Sequence, residues 1–531
     1  MRPDTERVER PPSAPVTDRR ATTGEAAGPS RAARRVAGTA VALVLLLDVV
    51  LRFTAPSALW LDEAQSVAIA RQDLPGLFAA LRQDGAPPLY YLLLHAWTSV
   101  FGTGALAVRS LSGLFSVLSL PVAWLLGRRL GGPRVGTALT LLLASSPFAV
   151  RYASETRMYS LVVLLVLLGA AAVGWAARRP GPWPVLAVGA SGAALLLTHY
   201  WAAYLLAVVG LLALVALARD RAAAGRVLVG LVLAALAFLP WLPTLRWQAA
   251  HTGTPWAEVG GLTSITAALG GWPGGGGVTA VLLGHALVVL AVLALVAVPT
   301  GGIVRLGVSR SPVRWALVAT SLGTLVVAGL ASLLTSSAVG ARYTSVALPE
   351  FLALVALGVA GLPGRRTRAA VLGLCVLAGT GLSAAQVHAP RTQAADVARA
   401  LASAAPGDTV LFCPDQLGPA VSRLAPAGLD LVAYPDLAPA DRVDWTDYAE
   451  RNGVADPAVV AARVSARAGE HAVYVVSGRG YRVPSDTDCL RLRQALTALR
   501  GDPEQVVQRD PGAGEGMRMH RFPPVGDPGG A

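Results

Sequence analysis

The 531-residue chain contains no lysine, so all 45 of its strongly basic side chains are arginines, against 32 Asp and Glu and a net charge of +13. Charge is scarce. Charged residues make up 15% of the chain and hydrophobic ones 54%, whereas an ordinary soluble domain carries about 25% charge. That balance excludes a typical soluble globular protein. Cysteine is also scarce: Cys375, Cys413 and Cys489 are the three, and their spacing excludes a Cys-based metal site. The positive balance might point to nucleic acid, but the arginines cluster in short loops between apolar runs. Such a distribution follows the positive-inside rule and calls for no nucleic acid. All-Arg, Ala-rich usage reflects a GC-rich genome rather than a ligand.

What the chain has instead is a series of apolar runs of about 20 residues, each long enough to cross a bilayer. Eleven spans are expected, near 37–54, 105–126, 135–152, 158–177, 183–199, 201–218, 226–246, 277–299, 314–334, 343–361 and 368–387. Residues 1–35 lack the apolar stretch of a signal peptide. They read as a disordered cytoplasmic tail whose Arg31, Arg34 and Arg35 hold the start of the first span inside.

The run 88–101 is too short for a normal span. If it does not cross, the basic loops 127–134, 178–182, 219–226, 300–314 and 362–368 all fall on the inner side, as the charge rule requires. It is therefore expected to be a juxtamembrane or re-entrant helix within a long first outer loop, 55–104. An odd number of spans places the C-terminal region outside. Residues 388–508 are expected to form an extracytoplasmic α/β domain, with short buried strands at 408–413, 429–434 and 471–476. Residues 509–531, rich in Gly and Pro, are expected to be a disordered tail. In an oxidising compartment Cys413 and Cys489 can form a disulfide or remain two buried thiols, and the sequence leaves that open.

The chemistry-bearing residues gather on the outer side. Asp62 and Glu63 follow the first span, and acids so close to a bilayer are rarely accidental. A carboxylate is a usual general base, although neighbouring helical residues point about 100° apart, which favours one of the pair, Asp62. Asp84 precedes Pro87 and Pro88, which fix the chain before the short apolar helix. Arg151, Glu155, Arg157 and Tyr159 lie between the third and fourth spans, where Arg151 and Glu155 are spaced as an ion pair. Arg342 and Tyr343 sit at the outer end of the tenth span, and a planar guanidinium suits a phosphate. His199, Tyr200 and Trp201 occupy an outer turn, and Trp247, His251, Trp256 and Trp272 follow; such aromatics either stack on substrate or form an interfacial belt. The histidines show no metal-ligand spacing, and neither a cofactor nor a divalent metal is indicated. Asp48 and Arg52, four apart in the first span, are expected to satisfy each other.

Four of these segments carry a family resemblance: TrpLeuAspGluAla at 60–64, AspGlyAlaProProLeuTyrTyrLeuLeuLeuHis at 84–95, ArgTyrAlaSerGluThrArgMetTyrSer at 151–160 and AlaArgTyrThrSerValAlaLeuPro at 341–349. In this order they resemble the GT-C glycosyltransferases, most closely the bacterial protein O-mannosyltransferase-like and aminoarabinose-transferase-like branch, over residues 37–387. The resemblance implies a multi-pass protein of the cell membrane with a polyprenyl-phosphate-linked sugar donor, for which mannose is the suggestion. It implies a protein, glycan or lipid acceptor met on the outer face among membrane lipids. It also implies Asp62 as catalytic base, with Glu63 beside it. It implies donor- or acceptor-binding roles for Glu155 and Arg342; Asp84, Arg157, Tyr159, His199 and Tyr343, read from their outer position beside these, are expected to join them. Some relatives use a first-loop lysine for the carrier phosphate; here an arginine must stand in.

Two other functions compete. A transporter or lipid flippase would place ionisable residues near the membrane midplane, whereas these gather at one end of the spans. A membrane scaffold presenting its outer domain leaves the first-loop acids without a role.

Overall fold

The computed structural model describes residues 31–253, 262–300, 303–335, 339–481 and 483–525. The expected N-terminal tail lies mostly outside them, as do Trp256 and residues 526–531. By contact, residues 45–531 form one compact unit.

Each of the eleven expected spans contains helix. Among the described residues six helical stretches are long and apolar enough to cross a membrane, including Ala105–Gly131, Tyr159–Arg178 and Val278–Val296. Six shorter apolar helices accompany them, including Gly38–Leu51 and Leu348–Gly361. Their outward faces are apolar: Leu211, Leu214 and Val215 are 61%, 54% and 62% exposed, a surface that suits hydrocarbon and not water. The expected 135–152 span breaks at Ser145 into Pro133–Ala144 and Pro147–Ala153, where Ser146 caps the second piece. Helix Leu89–Phe101 has 13 residues, about 20 Å of rise against about 30 Å of hydrocarbon.

Close helix packing rests on small residues. A methyl added to Gly127 would lie 2.7 Å from the Gly136 Cα, and one on Gly358 would lie 1.8 Å from the Leu290 carbonyl oxygen. Neither backbone approach tolerates a Cβ. The expected Asp48–Arg52 pair takes a different form. Arg52 donates to the Asp48 backbone carbonyl and to Ser116 Oγ at 2.9 Å, while the Asp48 carboxylate accepts from Thr380 Oγ1 at 2.9 Å. Three helices are tied together in this way, where the sequence spacing suggested one local contact.

A short hairpin, β1 (Ala297–Thr300) and β2 (Ile303–Leu306), precedes the helix beginning at Pro312. The C-terminal region holds a six-stranded sheet of β3 (Thr409–Cys413), β4 (Asp430–Ala433), β5 (Ala438–Pro439), β6 (Val473–Gly478), β7 (Glu504–Val507) and β8 (Met517–Phe522). The order is β5-β4-β3-β6-β8-β7, with β3 parallel to both β4 and β6 and the outer pairings antiparallel. β3, β4 and β6 coincide with the three strands read from the sequence. β3 is buried along its whole length, which is why it reads as a continuous apolar run.

Two expectations change here. The tail from 509 is not disordered over the described residues: β8 pairs with β6 along six positions and brings Met517, Met519 and Phe522 into the core. Its glycines and prolines flank the strand on both sides and leave the strand itself free of them. The boundary at 388 also does not separate an independent body. Gln65 exchanges hydrogen bonds with the Val443 backbone at 2.9 Å in both directions, and the Trp445 amide donates to the Gln83 carbonyl at 3.2 Å. The sheet region is thus seated on the first loop.

Cys413 and Cys489 form a disulfide between the end of β3 and helix Asp486–Arg500, closing a separation of 76 residues. A loop of that length constrains the unfolded chain by about 4 kcal/mol in the entropic picture. Reduction, or Cys413→Ala with Cys489→Ala, is expected to lower the thermal midpoint of this region, read by differential scanning fluorimetry. An unchanged midpoint would remove the disulfide from the stability account.

Candidate active site

The first loop carries helix Leu61–Ala70. On its first turn the two adjacent acids take different partners. Asp62 is 15% exposed; its Oδ2 accepts from Arg342 Nη1 and lies 3.9 Å from Arg157 Nε. Arg342 comes from the short turn Ala341–Val346 that precedes helix Leu348–Gly361. Burial works most strongly against the Arg342 charge, but the Asp62 carboxylate together with Tyr159 and Tyr343 outweighs it and lifts the guanidinium above its ordinary range.

Glu63 is fully buried. Its carboxylate accepts from Arg109 Nε at 2.7 Å and Nη2 at 2.6 Å and from the Thr156 amide at 3.0 Å, and Arg391 stands 3.5 Å away. Burial alone would raise its pKa; the Arg109 hydrogen bonds and the charges of Arg109 and Arg391 overcome that and hold it low. Arg109 also donates to the carbonyls of Ala55, Ser57 and Ala58 at 3.1, 2.7 and 3.1 Å. One guanidinium therefore pins the start of the loop to helix Ala105–Gly131. Of the two adjacent acids, of which helical geometry favours Asp62 for the site, Glu63 turns into this clamp, since neighbouring helical side chains diverge.

Asp84 ends helix Leu74–Asp84, with Gly85 at φ 78° turning the chain. It accepts from Gln65 Nε2 at 3.2 Å and from the Tyr91 hydroxyl at 3.0 Å. The same hydroxyl accepts from Arg157 Nη1 at 3.1 Å, and Arg157 also donates to Ser66 Oγ at 3.1 Å. Asp84, Tyr91, Arg157 and Asp62 thereby form one connected chain. Burial raises the Asp84 pKa, with the Arg157 charge opposing it.

Glu155 is buried, 3.4 Å from Arg151, and neither carboxylate oxygen has a hydrogen-bond partner among the described residues. Burial raises its pKa, against the charges of Arg151 and Arg391. Tyr159, His199 and Tyr343 follow one another as tilted rings, with centroids 5.8 and 5.2 Å apart, and Trp201 lies tilted against Tyr343 at 5.5 Å. The Arg342 guanidinium lies 5.7 Å from the Tyr343 ring. His199 Nδ1 accepts from the Trp201 amide at 3.2 Å, so the His199 ring serves this aromatic wall. Among the described residues no three His, Cys, Asp or Glu side chains are grouped to hold a metal.

Asp62, Asp84, Arg157, Arg342 and Tyr343 are thus brought together, with Glu155, Tyr159 and His199 around them. Trp247 and His251 lie apart: Arg82 sits 4.2 Å over the Trp247 ring, and His251 bonds Asp447 at 3.0 Å.

Sequence reasoning missed three residues. Arg109 carried a signal, a basic residue at the outer end of a span where the charge rule disfavours one. Arg391 donates to the Ser154 carbonyl and hydroxyl, each at 2.7 Å. Glu515, in the stretch expected to be disordered, accepts from the Leu61 amide at 2.9 Å. It therefore holds the N-terminus of the helix bearing Asp62, a favourable place for an acid. Burial pushes its pKa up to about 8. A carboxyl raised on folding binds its proton more tightly in the folded chain, so its contribution to stability falls as pH rises from about 4.5 to about 8. The thermal midpoint of wild type relative to Glu515→Gln is expected to decline over that interval and level off above it. A difference independent of pH would show that Glu515 does not titrate there.

Part of this sequence and most of this fold recur in known proteins. Residues 85–247 match the family model for dolichyl-phosphate-mannose-protein mannosyltransferase. The structure is similar to ArnT from Cupriavidus metallidurans bound to undecaprenyl phosphate, at 14% identity and a TM-score of 0.60, covering 92% of this chain and 98% of that one. It is similar to the same protein in the apo state at 14% identity and a TM-score of 0.61, with the same coverage. No curated protein sequence matches this chain.

Proposed function

We propose that this protein is a membrane glycosyltransferase that moves a sugar from a polyprenyl-phosphate carrier to an acceptor hydroxyl, with Asp62 as general base. The observation that carries the reading is Asp62 held between Arg342 and Arg157 at one end of the helical bundle. The acceptor oxygen attacks the anomeric carbon, the bond from that carbon to the phosphate oxygen breaks, and the acceptor proton passes to the Asp62 carboxylate. Polyprenyl phosphate leaves with the electron pair, its growing charge met by the Arg342 and Arg157 guanidinium groups. These arginines fill the place of the carrier-binding lysine that the chain lacks. Glu155, with both carboxylate oxygens unpartnered among the described residues, is assigned to a hydroxyl of the donor sugar or the acceptor. Tyr159, Tyr343 and His199 form an aromatic wall for the sugar or the first prenyl units. Glu63 is assigned to positioning.

The undecaprenyl phosphate bound to the similar ArnT structure supports a polyprenyl-phosphate donor, and the matching family model supports mannose as the first sugar to try. The positive-inside pattern supports a cytoplasmic N-terminus, with the site and the C-terminal sheet outside. A transporter is disfavoured because the charged cluster lies at the ends of the helices. Purified protein given radiolabelled polyprenyl-phosphate-mannose, the aminoarabinose counterpart and a panel of protein, glycan and lipid acceptors is expected to transfer label to one acceptor class. Absence of transfer from every donor, with the protein folded, overturns the reading.

A further inference from the structure

A cavity of 680 Å³ lies between helices Ala105–Gly131, Tyr159–Arg178, Pro182–Leu196, Pro312–Val318 and Leu348–Gly361. It runs along the helix axes from near the start of helix Leu348–Gly361 to a basic mouth at the end away from the Asp62 cluster. Arg109 and Arg129 stand on one helix, and twenty residues of rise separate them by about 30 Å. Tyr159 and Arg178 bracket another helix by nearly the same span. That distance matches the hydrocarbon thickness of a bilayer, so the basic mouth of the cavity and the Asp62 cluster lie at opposite ends of the helices.

The lining is strongly asymmetric. Arg129, Arg178 and Arg314 cluster at the far mouth, and none of the three has an acidic partner among the described residues. Arg314 donates to the Ala294 carbonyl. The walls between are leucine, valine, alanine and glycine. The polar wall residues Ser191 and Thr320 turn their hydroxyls back onto the carbonyls of Ala187 and Ala316 at 2.8 and 2.9 Å, which leaves those walls apolar in effect. Glu350 closes the end nearer the Asp62 cluster, eight residues beyond Arg342. A second cavity adjoins the first and shares Arg129, Ala171, Arg178 and Ser191 with it.

We infer that this cavity binds an anionic phospholipid, its phosphodiester on the Arg129, Arg178 and Arg314 cluster and an acyl chain between the helices. Three basic side chains line one mouth of an otherwise apolar cavity, and each basic side chain near a membrane surface attracts an anionic lipid measurably. The long apolar walls reward a hydrocarbon chain and exclude a soluble phosphate. This site is separate from the donor site proposed above and does not depend on it.

Native mass spectrometry of the full chain released from nanodiscs tests the inference. With equal phosphatidylglycerol and phosphatidylcholine, the protein is expected to retain one phosphatidylglycerol in preference. The Arg129→Gln/Arg178→Gln variant is expected to lose that retention by about tenfold or more, and Arg219→Gln/Arg221→Gln in another basic loop to keep it. Ala171→Phe, which narrows the cavity and leaves every arginine in place, is expected to lose it too. Equal retention of phosphatidylcholine, full retention in Arg129→Gln/Arg178→Gln or in Ala171→Phe, or displacement of the bound lipid by polyprenyl phosphate overturns the proposal.

Discussion

Asp62→Asn is expected to reduce sugar transfer by about 10²- to 10⁴-fold in kcat, the usual contribution of a positioned general base. The substitution keeps the size and shape of the side chain and removes its charge and basicity. Its effect on folding is expected to be smaller than that of changing Glu63, because Asp62 and Arg342 are 15% and 19% exposed whereas Glu63 is fully buried. Single-turnover transfer with saturating donor, alongside a thermal melt, separates the two effects. Full activity in a folded Asp62→Asn protein would remove Asp62 as the base and leave the cluster as a binding site. Since Asp62 pairs with both arginines that are to receive the phosphate, donor affinity is expected to hold or rise in the variant as their charge is released.

The neighbouring acid is expected to behave in the opposite way. Glu63→Gln leaves Arg109 and Arg391 buried without their counter-charge, and breaking a buried pair from one side costs about 3–5 kcal/mol. The expected result is a large loss of folded, monodisperse protein after extraction, with the surviving fraction retaining transfer. Arg109→Met is expected to be at least as damaging, because it also strips the donors from the Ala55, Ser57 and Ala58 carbonyls. The Glu63→Leu/Arg109→Met pair removes both charges together and is expected to be milder than the sum of the single changes. A Glu63→Gln protein that melts with wild type but transfers no sugar would return Glu63 to the catalytic group. Two adjacent acids thus yield two distinct expected phenotypes, activity without stability for one and stability without activity for the other.

Several features were legible because their signals are local. A run of apolar residues announces a membrane helix by length alone, since every backbone polar group must be satisfied within the segment. All eleven expected runs contain helix, and the three buried strands of the C-terminal sheet were visible as short apolar stretches bounded by turn residues. The break at Ser145 and the strand β8 were not. In the first case a serine and a proline interrupt an otherwise unbroken apolar run. In the second, Met517, Met519 and Phe522 alternate with charged residues behind a Gly-rich turn that outweighs them in composition.

The site divides along the same line. From residue type and position, the sequence by itself placed acids and arginines at the same ends of the apolar spans, and it favoured Asp62 over Glu63 by helical geometry. It could not determine which arginine each acid would receive. Asp62 meets Arg342 across 280 residues, Glu63 meets Arg109 across 46, and Leu61 meets Glu515 across 454. No periodicity spans such separations. Only the tertiary structure decided them, because an acid beside a bilayer takes whichever guanidinium the packed helices bring within hydrogen-bonding distance. The reason is energetic: a buried carboxylate without a partner is too costly to persist. The fold therefore supplied Glu63 with a full set of donors and left Asp62 at the solvent edge, where its charge remains accessible to a reacting group.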